Sequence, residues 1–132
     1  MTTRTRLLSV AAAVALALVA GSPPAAGVLL LDNRQVLEGR VERVGDQYRV
    51  SRDGGETFVP ATRVVTACAD LEAAYRFLRD KTDPRDADAR LRLARWCDAN
   101  GLRAQAAAEA KAAAELAPQR PVIHAVYQQL QR

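Results

Sequence analysis

The side chains of this sequence that could do covalent, acid-base or metal chemistry are few and scattered. Cys68 and Cys97 are its two cysteines, and His124 is its single histidine. Cys68 and Cys97 have two readings. A disulfide would tie the end of the first half to the middle of a helix and be worth roughly 3–4 kcal/mol in the chain-entropy account; alternatively, the two stay apart as small buried apolar side chains. Thiol catalysis normally uses C-x-x-C spacing, which the chain lacks. His124 has no cysteine or second histidine nearby, whereas a metal site needs three or four convergent ligands and a catalytic triad needs a nucleophile and an orienting acid. It is expected on the surface or at a helix cap.

Two acidic stretches invite a ligand. Asp83, Asp86 and Asp88 could supply oxygens to calcium, but the glycine turn and terminal glutamate of a calcium loop are missing, and carboxylates at a helix start are already favoured by the helix dipole. "DGGE" at Asp53 to Glu56 could cradle an ion, or be the tip of a hairpin; neither a phosphate-loop nor a calcium-loop spacing follows it. Glu38 and Glu56 would matter to acid-base catalysis only beside another carboxylate in a deep pocket. No catalytic residue, metal or cofactor is therefore expected, and the chain reads as a non-enzyme.

The elements that would position these residues come in three parts. Arg4 and Arg6 precede an apolar run from Leu7 to Ala20, followed by small residues and prolines, the order of a secretory signal peptide. The run has 14 residues, short of the about 20 that span a bilayer as a helix. Residues 1–27 are expected to be removed, leaving a periplasmic or secreted product without a membrane span. The formal charge of +4 falls to +2 when Arg4 and Arg6 go. Arg and Asp are interleaved along the chain, so its basic balance describes a solvated surface and points to no nucleic-acid partner.

Residues 28–69 read as a small antiparallel β module. β-Branched residues alternate with Arg and Glu, and turn signals fall at short intervals. Strands are expected at Val28 to Leu31, Val36 to Val44, Gln47 to Arg52, Glu56 to Val59 and Arg63 to Thr66. Asp53 to Gly55 gives the strongest turn signal. A curled sheet or partial SH3-like barrel would result, and the fold class is α+β.

Residues 70–132 read as helical. Leu71, Ala74, Tyr75 and Leu78 make an amphipathic stripe, with Asp70 as N-cap and an end near Lys81. A second helix is expected from Pro84 to Ala99, with Asp83 as cap and Pro84 at the first helical position. A third runs from Leu102 to Leu116 and a last from Pro121 to Leu130, with Asn100-Gly101 and Pro118 as stops.

Leu93-Ala94, Gly101, Ala106, Ala113 and Pro118 reproduce the spacing L-A-x6-G-x4-A-x6-A-x4-P without gaps. This stretch, Ala87 to Pro118, resembles one tetratricopeptide repeat, two antiparallel helices joined by a short turn. Arg90 and Cys97 stand where the repeat usually carries aromatics. The β half likewise resembles a glycine-centred hairpin pattern of exported bacterial proteins, which implies a docking module. A single repeat cannot bury its apolar face alone, so the flanking helices and the β module are expected to cover it. Leu93, Trp96 and Tyr127 are the candidate interaction face. Leu93, Trp96 and Cys97 also share a helical stripe that could simply pack.

The resulting expectation is an exported, non-enzymatic protein-interaction or scaffolding module of the bacterial envelope, with a protein partner. The alternatives are a small hydrolase acting on envelope polymers and a purely structural envelope component.

Overall fold

A computed structural model describes residues 25–132. The expected signal peptide lies outside them, except for residues 25–27, which belong to the first strand. The strands are β1 (Ala25–Leu31), β2 (Val36–Val44), β3 (Gln47–Arg52), β4 (Gly55–Pro60) and β5 (Val64–Cys68). They form one antiparallel sheet in the order β4-β3-β2-β1-β5. β1 begins at Ala25 rather than Val28, because Ala25, Ala26 and Gly27 pair with Val41, Arg40 and Gly39. β4 and β5 are the two edges and do not pair with each other, so the sheet stays open rather than closing into a barrel.

The turns follow from backbone chemistry. β3 and β4 are joined by Asp53 and Gly54, both at positive φ (52° and 79°), the arrangement that matches the twist of a two-residue hairpin. Pro60 is the last residue of β4. A single 3-10 turn, Ala61–Arg63, then intervenes, so the fifth strand starts at Val64, one residue later than expected, and runs on to Cys68.

Four helices follow: α1 (Leu71–Asp80), α2 (Ala87–Ala99), α3 (Arg103–Leu116) and α4 (Pro121–Leu130). Asp70 caps α1 as expected, accepting from the Ala73 N–H at 2.8 Å. The start of α2 differs from expectation. Asp83 accepts from the N–H of Arg85, two residues on, at 2.9 Å, which closes a local turn around Pro84 instead of a helix cap. Asp86 is the cap, accepting from Ala89 N–H at 3.1 Å. Asp88, now in the first turn, pairs with Arg120 at 2.7 Å. Each carboxylate of the aspartate-rich stretch thus has a structural task.

β1 is buried on both faces. Leu29 and Leu31 meet Val50 and Val59 on one side of the sheet, with Leu37, Val41, Tyr48 and Val64 around them. Val28 and Leu30 face the other way, into a core with Ala74, Tyr75 and Leu78 of α1 and Leu93, Trp96 and Cys97 of α2. A further core joins Leu91 to Ala113, Ala114, Ala117 and Ile123, tying α2, α3 and α4 together. Fully buried Ala94, Ala106, Ala110 and Ala113 let α2 and α3 pack closely, since interaxial distance depends on side-chain size at the contact.

Candidate functional site

Leu93 and Trp96 do not form an exposed face. Leu93 is 1% and Trp96 8% exposed, and both pack against β1 and α1. The indole Nε1 donates to the carbonyl of Arg34 at 2.9 Å. Arg34 holds a positive φ of 66° in the β1–β2 turn. The sheet therefore covers the stripe that carries these residues. Tyr127 is half-buried on α4 and shares its hydroxyl with Gln131. It stands apart from the first core, to which Leu93 and Trp96 belong.

Cys97 is fully buried and Cys68 half-buried; both are free thiols around the same core. Burial above all, with the nearby Glu109 charge, pushes the Cys97 thiol up to about 12. It is inert as a nucleophile at neutral pH. His124 Nε2 lies 2.9 Å from the carbonyl of Pro118, at the start of α4. Among the described residues, no group of three or more His, Cys, Asp or Glu side chains is placed to hold a metal ion.

A cleft of about 710 Å3 opens where β1 and β2 meet the start of α1. Ala26, Gly27, Val28 and Leu71 give it an apolar floor, and Glu38, Asp70, Glu72 and Arg52 surround it. Glu38 thus shares an open cleft with Asp70 and Glu72. Asp70 is engaged as the α1 cap, however, and Glu38 stands 3.9 Å from the exposed Arg52 guanidinium. The floor glycines serve strand approach. Gly27 and Gly39 face each other across the ladder, and a Cβ on Gly39, at φ 156°, would stand 2.6 Å from the Ser51 carbonyl oxygen.

Sequence reasoning missed two features. The first is Glu109, a carboxylate 3% exposed in the alanine-rich α3. It accepts from the Tyr75 hydroxyl at 2.6 Å and from Arg90 Nη1 at 2.9 Å, while Arg90 Nε donates to the Pro84 carbonyl at 2.9 Å. Burial, then the hydrogen bond and charge of Glu109, push the Tyr75 hydroxyl up to about 12. The spacing held a signal: Glu109 sits three after Ala106 and four before Ala113, on the stripe that must be buried.

The second is Phe58, 53% exposed in the middle of β4. Pairing of Arg49 with Phe58 and of Ser51 with Glu56 puts Phe58 and Glu56 on the outer face, away from buried Val59. β4 packs mainly against β3 and, among the described residues, no strand pairs with its other side, whereas β5, at the opposite edge, lies against α1. The Asp53-Gly54 hairpin already implied this register. Compared with known proteins, the chain matches no family model, no curated protein and no solved structure.

Proposed function

We propose that this chain is an exported, non-enzymatic protein-interaction module of the bacterial envelope, and that it docks a partner by strand addition at β4. The observation that carries the reading is Phe58, 53% exposed at the centre of an uncovered edge strand. Natural sheets usually blunt such edges with charge, proline, bulges or a covering element. β4 has one charged residue, Glu56, and its proline comes last, at Pro60. An extended partner segment would gain main-chain hydrogen bonds there and cover the aromatic ring. The leader-like order of Arg4, Arg6 and the apolar run from Leu7 to Ala20 supports periplasmic or secreted placement, and the α2–α3 hairpin, with its tetratricopeptide-like spacing, acts as the support behind the sheet.

A photo-crosslinking residue at position 58, compared with one at exposed Lys111 on α3, tests this in envelope preparations. The expected result is a discrete crosslinked product from position 58 alone. No product from either position would sink the proposal. The second reading, a hydrolase of envelope polymers, draws on the cleft that gathers Glu38, Asp70 and Glu72. It requires release of soluble fragments from purified cell-wall polymer by the protein, abolished in Glu38→Gln.

A further inference from the structure

Resting on the strand-addition reading above, we infer that the partner strand runs antiparallel to β4 and carries an apolar residue beside Phe58, an aliphatic one beside Thr57 and a lysine or arginine beside Glu56. The pattern comes from extending the existing cross-strand rows by one strand. On the outer face, Glu42, Arg49 and Phe58 form one row and Arg40, Ser51 and Glu56 the next. Cross-strand neighbours on one face are the unit of sheet stabilisation, so a sixth strand is read row by row.

In the first row the charges are already matched. Arg49 is ion-paired with Glu42, which raises its guanidinium pKa through their hydrogen bond and charge, with Glu56 a lesser contributor. The position beyond Phe58 therefore asks for apolar surface. In the second row, neutral Ser51 separates Glu56 from Arg40, and among the described residues no ion pair reaches Glu56. A cation in the adjoining strand would complement that carboxylate.

Between these two, Thr57 faces the other side of the sheet. A hollow of about 280 Å3 opens there, in which Leu37, Val50 and Thr57 are joined by the charged side chains of Glu38, Arg52 and Glu56. An aliphatic side chain beside Thr57 would point into it, because successive residues of a strand alternate between faces. Antiparallel pairing is the geometry of every ladder in the sheet and the stronger hydrogen-bond arrangement. A second copy of β4 does not fit: Gly55 to Pro60 contains no basic residue to set beside Glu56.

Two acetylated, amidated peptides test the inference, one with a central Tyr-Val-Lys and a twin with glutamate in place of the lysine. Each is titrated into the isotope-labelled protein and followed by backbone amide shifts. Expected are shifts confined to β4 and its neighbours, at least tenfold tighter binding of the lysine peptide, and reversal of that preference in Glu56→Lys. Equal binding of both peptides at β4 would overturn the charge rule while leaving strand addition standing. No shift in 55–60 with either peptide at millimolar concentration would overturn both. A peptide-free dimer that protects 55–60 would assign the edge to a second copy and likewise overturn the inference.

Discussion

Replacing Glu109 by alanine removes the acceptor of the Tyr75 hydroxyl and the counter-charge of Arg90 in one step. Breaking a buried ion pair from one side costs about 3–5 kcal/mol, because the surviving charge stays desolvated. The Arg90 side chain keeps 23% exposure and can recover some hydration, which favours the lower part of that range. The stranded Tyr75 hydroxyl adds about 1–3 kcal/mol, not fully additive with the first cost. A loss of about 4 kcal/mol, with a urea dependence of about 2 kcal/mol per molar, lowers the unfolding midpoint by about 2 M. Urea unfolding followed by Trp96 fluorescence and by circular dichroism measures this directly. Glu109→Gln, which keeps an acceptor for Tyr75 and loses the charge, should fall between wild type and alanine. The combined change Tyr75→Phe, Arg90→Met, Glu109→Leu removes all three polar groups together and should land within about 1 kcal/mol of wild type, or above it. The reasoning fails if Glu109→Ala unfolds within about 1 kcal/mol of wild type, or if the triple variant is as weak as the single one.

Tyr75 also makes stability depend on pH. Its hydroxyl holds its proton to about pH 12 in the folded chain against 10.0 normally, so the folded state binds more protons in that interval; the stabilisation, complete below pH 10, is lost as pH rises toward 12. Urea midpoints compared below and above pH 10 should drop more for wild type than for Tyr75→Phe, and parallel curves would count against it. Gly39→Ala should cost about 1–3 kcal/mol, since its φ of 156° and the Ser51 carbonyl at 2.6 Å leave no room for a Cβ; a thermal midpoint equal to wild type would contradict this. A thiol reagent should modify half-buried Cys68 in the native protein and Cys97 only after denaturation. Two thiols that appear only after reduction would instead reveal the Cys68–Cys97 disulfide.

What could be read from the sequence was mostly local. The Asp53-Gly54 hairpin, the Asp70 cap, the Asn100-Gly101 stop and Pro121 at the start of α4 depend on backbone preferences of one or two residues, and each stands where its spacing implied. The start of α2 was less legible because Asp83 and Asp86 offer the same carboxylate to nearby N–H groups. Asp83 closes the turn around Pro84, which leaves the cap to Asp86. Long-range partners left little trace: nothing near Trp96 announces the carbonyl of Arg34, and nothing near Glu109 announces Tyr75. The acidic cleft needed the turn from β5 into α1 to bring Asp70 and Glu72 beside Glu38. Phe58 was legible in principle, since the hairpin sets its register, but edge position is a property of the whole sheet.

The way the two halves meet leaves the apolar stripes of the helices covered and one edge of the sheet open. A lone helical hairpin has apolar surface it cannot bury by itself. Here Leu93, Trp96 and Cys97 of α2 are covered by α1 and the outer face of β1, and Leu91 with the α3 alanines is covered by Ile123 of α4. The buried apolar stripes of the hairpin are therefore covered by the chain itself. β1 makes that possible only because it is apolar on both faces, with Val28 and Leu30 toward the helices and Leu29 and Leu31 toward the opposite face of the sheet. β5 is in turn held against α1. Among the described residues, the strand edge left without a strand or helix packed on it is at the far side of the sheet, at β4, where Phe58 and Glu56 stand in adjacent rows. The helices thus fill the core and fix β1, and under the proposed function the recognition chemistry would fall to β4, at the opposite edge from helix-packed β5.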